Sequence, residues 1–174
     1  MIKILAEKKA LFFFTDTNTI YTGKRANAIE HIKLATYHGF SIEKLGVPII
    51  IADGLKGNDY VEVELNLKHF KIAKVASVIY YSDVIICLTH FKGHMLFGFG
   101  GTIKNLGMGC AARPAKYQLH NVLKPKVNVK NCNGCSKCII YCPVNALKLD
   151  EVNKVIIFNS EKCTGCGECI HVCE

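Results

Sequence analysis

Three apolar runs punctuate the first half of the chain, and each closes on a polar residue: LFFF before Thr15 and Asp16, PIII before Ala52 and Asp53, and VIICL before Thr89 and His90. Short runs without alternation read as strands buried on both faces. Between the first two lies ANAIEHIKLATYHGF, which sets Ala28, Ile29, Ile32, Ala35 and Thr36 on one helical face and offers Gly39 as a C-terminal stop. Strand, helix and strand in that order predict an α/β domain built on a parallel sheet. Further on, DYVEVEL alternates and KHFKIAKVAS follows as a second extended stretch, so an antiparallel hairpin is expected, with IYYSD leading on to the third run. Near the end, VNVKN and KVIIFN read as short strands leading into two cysteine-rich loops, and ALKLDEVNKVIIF as a hairpin between them. The expected division is an α/β domain over residues 1–126 and a small α+β module over residues 127–174.

Composition narrows this picture. Half of the 174 residues are hydrophobic, enough for a substantial core. No apolar run approaches the roughly 18 residues of a membrane span. The run at residues 11–14 is too short for a signal-peptide core, so a cytoplasmic protein with no membrane partner is expected. Charge is uneven: residues 1–126 carry 17 Lys and Arg against 9 Asp and Glu, whereas residues 127–174 carry 5 against 5. No aromatic-rich basic stripe accompanies the excess, and nucleic acid is not an expected partner.

Eight of the ten cysteines fall in two runs. In a reducing compartment such crowding points to metal rather than disulfides. Cys132, Cys135, Cys138 and Cys142 follow C-x2-C-x2-C-x3-C-P, and Cys163, Cys166, Cys169 and Cys173 repeat the spacing without the proline. Three cysteines at intervals of three wrap one cuboidal cluster, with Gly134, Gly165 and Gly167 letting the backbone approach. Ser136 stands where the second run has Gly167, so that position is expected to tolerate a side chain. The fourth cysteine, one helical turn or about 5 Å further on, points away from its own loop. The runs resemble those of two-cluster ferredoxins, where the usual solution is exchange, and the resemblance implies that Cys132, Cys135, Cys138 and Cys173 hold one 4Fe-4S cluster and Cys163, Cys166, Cys169 and Cys142 the other. Pro143 ends the first helix. Tetrahedral zinc, commonly built from two separated C-x2-C pairs, fits three cysteines per loop poorly. Two thiolate-ligated clusters turn the neutral module acidic, facing a basic domain.

In open parallel sheets ligands gather at the carboxyl ends of strands, where Asp16, Asn18, Asp53 and His90 stand. The stretch HFKGHMLFGFGGTIKNLGMGC adds Lys92, His94, Lys104 and Asn105 among glycines, a loop suited to a small anionic ligand. It matches neither a P-loop nor a dinucleotide fingerprint. His90, Lys92 and His94 are the candidate catalytic residues; Lys104, Asn105, Asp16 and Asp53 are the candidate cofactor-binding ones. Structural readings stand beside these: Asp16 and Asn18 as turn or capping residues, Asp53–Gly54 as a turn, Lys104 as a solvated side chain. Cys87 reads as core, and Cys110 as either a reactive thiol or a structural one.

TDTNTIYTGKRANAIEH, IIADGLKGNDYVEVE and HFKGHMLFGFGGTIKNLGMGC, with the cysteine runs after them, resemble the uncharacterised iron-sulfur centre proteins of the domain-of-unknown-function family DUF362. Residues 127–174 resemble a bacterial-type two-cluster ferredoxin. The resemblance implies an α/β domain joined to a ferredoxin module. Family members have a longer N-terminal portion and continue past the second cysteine run. A fragment missing both ends is therefore expected, its sheet edges unpaired and the chain poorly soluble or dimeric. The leading functional expectation is low-potential electron transfer with a redox partner protein or electron donor. An alternative is a ferredoxin-fused oxidoreductase acting on a small anionic substrate at the loop from His90 to Asn105, with a histidine as acid or base and Lys92 or Lys104 holding the anion. A third is a redox or oxygen sensor.

Overall fold

A computed structural model describes residues 1–21, 23–94, 98–121 and 124–174, and over these the backbone forms four separate two-stranded sheets in a mixed α/β arrangement. After a leading helix, α1 (Ile2–Glu7), the first apolar run contributes only its end to a ladder, as β1 (Phe14–Asp16). Next comes α2 (Ala28–Tyr37), capped by the Asn27 side chain, which accepts from the Glu30 amide at 3.0 Å. The helix stops at His38, and Gly39 follows at φ 91°, as its sequence predicts. A single turn, α3 (Ile42–Leu45), leads to β2 (Ile49–Ile51), which pairs parallel to β1 with Phe14 opposite Ile49 and Asp16 opposite Ile51.

α2 covers only part of the expected face, Ala28 and Ala35 being half-covered while Ile29, Ile32 and Thr36 are exposed. His31 is its buried residue and Leu34 and Ala35 are half-covered, whereas Ile29 is 56 % and Ile32 38 % exposed. The reason is polar: His31 Nε2 lies 3.3 Å from the Asp16 carboxylate at the end of β1, and that contact turns the helix away from its most apolar stripe.

The expected hairpin is present as β3 (Tyr60–Glu64) and β4 (Ile72–Ala76), antiparallel with Tyr60 opposite Ala76. One turn, α4 (Ser77–Tyr80), follows directly. Ala52, Ala76 and Ile79 form the core here, with Val75, Val78 and Cys110 packed against them. Such small side chains let the end of β2 approach β4 and α4 closely.

The third apolar run is a correction. Residues 84–88 form no strand, and Val84 and Leu88 are 76 % and 71 % exposed. A continuous apolar run becomes a buried strand only where a sheet edge receives it, and no described segment does. The glycine-rich stretch, expected as a loop, contains an antiparallel hairpin instead: β5 (Lys92–His94) against β6 (Gly98–Gly100). Met95, Leu96 and Phe97, part of that stretch, lie outside the described residues. It continues as α5 (Thr102–Lys104), one π-helical turn over Asn105–Gly109, and α6 (Arg113–His120) with Pro114 in its first turn.

The cysteine region contains α7 (Lys137–Ile140), β7 (Leu147–Asp150), β8 (Val155–Phe158) and α8 (Glu168–His171). β7 and β8 form the expected hairpin, its turn fixed by Asp150, which accepts from the Val152 and Asn153 amides at 3.0 and 3.1 Å. VNVKN, expected as a strand, has no ladder, because no described segment pairs with it. Among the described residues no helix is long and apolar enough to cross a membrane.

Candidate metal centre

The two cysteine loops share one backbone. Gly134 and Gly165 sit at φ 68° and 70°, and two residues later Ser136 and Gly167 sit at 61° and 84°, all in the left-handed region. A single helical turn follows each, α7 and α8. Ser136 therefore occupies a position that favours glycine; its hydroxyl donates to the Gly134 carbonyl at 3.2 Å. A Cβ on Gly134 would stand 2.4 Å from the Lys154 carbonyl oxygen, so the loop lies directly on the β7–β8 turn. Both helices end before the fourth cysteine of their run, leaving Cys142 and Cys173 on the chain that leaves them.

Those fourth cysteines cross over. Cys142 lines one cavity with Cys163, Cys166 and Cys169, floored by Ala146, Leu147 and Phe158. Burial pushes the Cys169 thiol up to about 11, and the nearby Cys166, Cys163, Cys138 and Cys142 act in the same direction. In the first loop, burial likewise raises Cys138, with Cys135, Cys173 and Cys132 close enough to add to it. Lys137 Nζ, at the start of α7, meets Glu174 Oε1, on the residue after Cys173, at 2.5 Å. Backbone amides turn toward sulfur: Ala146 donates to Cys142 Sγ at 3.2 Å and Gly165 to Cys163 Sγ at 3.3 Å. Thiols crowded in partly desolvated pockets resist ionisation until a cation is bound, which is the donor set an iron-sulfur cluster requires. Among the described residues no three His, Cys, Asp or Glu side chains converge as a single metal ion needs. A cluster, taking one thiolate per iron, draws on a wider spacing.

The second loop abuts the larger part of the chain. Tyr21 Oη lies 3.4 Å from His120 Nε2, the two rings edge-on, and the Gly165 backbone hydrogen-bonds His120. Burial raises the Tyr21 hydroxyl, and Cys166 is near enough to raise it further. Lys124 Nζ donates to the Ser160 carbonyl at 2.9 Å and to that of Cys163.

Asp16 and Asp53, at the carboxyl ends of β1 and β2, gather around a residue that sequence reasoning missed. Lys116 is 6 % exposed and donates to Thr17 Oγ1 and, at 2.7 Å, to the Asn18 carbonyl. Burial pulls its ammonium down to about 8, against the pull of Asp53 and Asp16. Asp53 Oδ1 accepts from the Asn18 amide at 2.9 Å and from Asn18 Nδ2 at 2.8 Å, while burial raises its carboxyl. Burial also presses Asp16 upward, but its bonds from His31 and the Thr17 amide prevail and leave it below the usual carboxylate range. The one available signal for Lys116 and His120 was their spacing of four on RPAKYQLH, which puts them on a single helical face.

Of the glycine-rich candidates, Lys92, His94 and Lys104 come together. Partial burial lowers His94, and the adjacent Lys104 and Lys92 reinforce it; His120 is lowered by burial and then by Lys104 and His94. His90 is exposed before β5, outside that group, and Asn105 turns away to donate to Thr89 Oγ1 at 3.2 Å. Cys87 is half-buried, its sulfur 3.2 Å from Thr89 Oγ1. Cys110 packs on the core and burial raises its thiol, the opposite of an activated nucleophile.

The family described as "Domain of unknown function (DUF362)" matches residues 1–162, and a "4Fe-4S binding domain" matches residues 156–174. The second match covers the second cysteine run; the first cysteine run falls inside the first match. The "Ferredoxin-type protein NapF" of Haemophilus influenzae is 41 % identical over 39 residues, which is 22 % of this chain and 22 % of that protein. The chain thus spans about a fifth of the curated relative that it matches. No solved structure matches it.

Proposed function

The chain belongs to the DUF362 family, and from that premise we propose that it is a two-cluster iron-sulfur protein passing single electrons at low potential between a redox partner protein and its own α/β domain. One observation carries the reading: the fourth cysteine of each run stands with the other run's triplet. On this assignment Cys132, Cys135, Cys138 and Cys173 hold one 4Fe-4S cluster, and Cys163, Cys166, Cys169 and Cys142 hold the second. When bound, each cluster supplies a one-electron couple whose potential depends on hydrogen bonds to sulfur and on exposure to water. The Ala146 and Gly165 amides supply such bonds. The proposed units are an α/β domain at residues 1–126, its parallel sheet represented by β1 and β2, and a ferredoxin module at residues 127–174. Coupling of the two is supported by Tyr21, His120 and Lys124, which all meet the second loop.

Anaerobic reconstitution followed by iron and sulfide analysis tests the assignment, with about eight of each expected for two four-iron clusters. Cys135→Ala and Cys166→Ala should each remove about half the iron. Bound zinc, or iron content indifferent to both substitutions, would falsify it.

A second reading is favoured by the convergence of Lys92, His94, Lys104 and His120 beside the second loop. There the chain is a reductase whose small anionic substrate lies on that basic group. Substrate-dependent oxidation of the reduced protein, abolished in His94→Ala with cluster content intact, supports it; turnover that His94→Ala leaves unchanged excludes it.

A further inference from the structure

Cys87 and Cys110 belong to neither cluster run, and the fold ties them together from either end of the glycine-rich stretch. Cys87 Sγ lies 3.2 Å from Thr89 Oγ1, and the same hydroxyl accepts from Asn105 Nδ2 at 3.2 Å. Asn105 opens the π-helical turn, and just past the other end of that turn the Cys110 amide donates back to the Asn105 carbonyl at 3.1 Å. One hydroxyl and one asparagine thus connect the two cysteines. We propose that Cys87 and Cys110 are a redox-active dithiol, which closes to an intramolecular disulfide by exchange with a low-molecular-weight disulfide such as oxidised glutathione.

Surroundings set the order in which the two thiols react. Cys87 stands in the apolar run that joins no strand, between Ile86 and Leu88, which are 51 % and 71 % exposed. Cys110 is also half-buried, but it packs on Ala52, Ala76 and Ile79. A disulfide arriving from solvent therefore meets Cys87 first, with Cys110 behind it. Electrostatics agree with this order. Burial pushes the Cys110 thiol up, and Cys87 and Asp16 are near enough to add to that, while the Lys116 ammonium acts the other way. A raised thiol is a poor first attacker. Its thiolate, once formed, is the stronger nucleophile, and beside a mixed disulfide on Cys87 it acts at high effective concentration. The turn that carries Cys110 is π-helical, a shape that recurs at functional sites.

The chemistry balances in two exchanges. First, the Cys87 thiolate attacks one sulfur of oxidised glutathione; a bond forms between Cys87 and that sulfur, the glutathione disulfide breaks, and one glutathione leaves as its thiolate. Next, the Cys110 thiolate attacks the Cys87 sulfur, the protein disulfide forms, and the second glutathione leaves. The protein pair is oxidised by two electrons and oxidised glutathione is reduced by two, while the protons released by the cysteines end on the glutathione thiols. Closure fastens the exposed run at residues 84–88 covalently to a residue of the core. A disulfide at a half-buried pair is of the labile kind that a thiol pool reopens.

Incubation of the full, anaerobically reconstituted chain with oxidised glutathione, followed by alkylation, trypsin digestion and mass spectrometry, tests the proposal. Cys87 and Cys110 then fall in separate peptides, residues 75–92 and 105–116, because trypsin does not cut between Arg113 and Pro114, and neither peptide holds another cysteine. The expected product is those two peptides joined by a disulfide that dithiothreitol reopens. Cys110→Ala should trap glutathione on Cys87, and Cys110→Ser repeats the trap with a different side chain against the core. Cys87→Ala should leave Cys110 reacting about tenfold or more slowly than Cys87 does in Cys110→Ala. A wild-type chain whose two peptides stay unjoined, or carry one glutathione each, overturns the proposal. So does Cys110 reacting as fast in Cys87→Ala as Cys87 does in Cys110→Ala. Iron and sulfide are measured on the same samples, so failure of the cluster assignment registers separately.

Discussion

Lys116 concentrates the tension of the larger domain in one side chain. An ammonium free in an unfolded chain titrates near 10.5, and here it titrates at about 8. Below pH 8 both states carry the proton and the native state bears the full cost of burying it. Between pH 8 and 10.5 the unfolded chain holds the proton that the folded one has lost, so stability rises with pH across that window. A shift of this size corresponds to roughly 3 kcal/mol. Denaturant melts of the wild type should gain stability of that order from pH 8 to 10.5 relative to Lys116→Met, whose slope should be flatter; parallel profiles would show that Lys116 does not titrate low. The cysteine loops set a second tension, in the backbone. Gly167→Ser should cost about 1 kcal/mol, the ordinary penalty of a left-handed non-glycine residue. Gly134→Ala should cost more, about 2–4 kcal/mol, because its Cβ would meet the Lys154 carbonyl as well. Melting of the reconstituted variants ranks them, and equal losses would remove the contact as the cause. The cysteines and loop glycines were legible in the sequence because ligand spacing is local. Lys116 and His31 were not, since their roles are set by Asp53 and Asp16 arriving from other strands.

Elements were legible where their partners are close in the chain. β3 pairs with β4 and β7 with β8 across short turns, so each hairpin is marked by two extended stretches a few residues apart, the first of them by the alternation of DYVEVEL. Asn27 and Gly39 bracket α2 by rules that operate within a few residues. The third apolar run failed because burial of a non-alternating strand depends on two neighbours that no local pattern reports. In the structure its side chains face water together with Phe91 and Phe99, whose rings lie 5.3 Å apart. An apolar strip of this kind drives association. Sedimentation should show a mass that rises with concentration in the wild type, and Val84→Lys with Leu88→Lys should shift it toward the monomer. A wild-type monomer at every concentration would mean that the strip stays dissociated.

At the scale of the molecule the organising feature is polarity of charge. All of the chain's net positive charge of +8 resides in residues 1–126, while residues 127–174 are neutral before any cluster adds negative charge. The second cysteine loop faces that basic domain through Lys124, His120 and Tyr21, and Lys124 reaches over the Cys163 carbonyl. A cation beside a cluster site stabilises the form carrying the extra electron, and so raises the potential of that couple. Lys124→Gln removes the charge and keeps a polar side chain one atom shorter. It should therefore lower one couple by on the order of tens of mV at low ionic strength, with the difference shrinking as salt is added. The first loop is served by Lys137, which is paired to Glu174, so its couple should not move. Protein-film voltammetry resolves the two waves. A shift of both together would mean that the field acts on the module as a whole, and no shift in either would remove Lys124 as the link between the two halves of the chain.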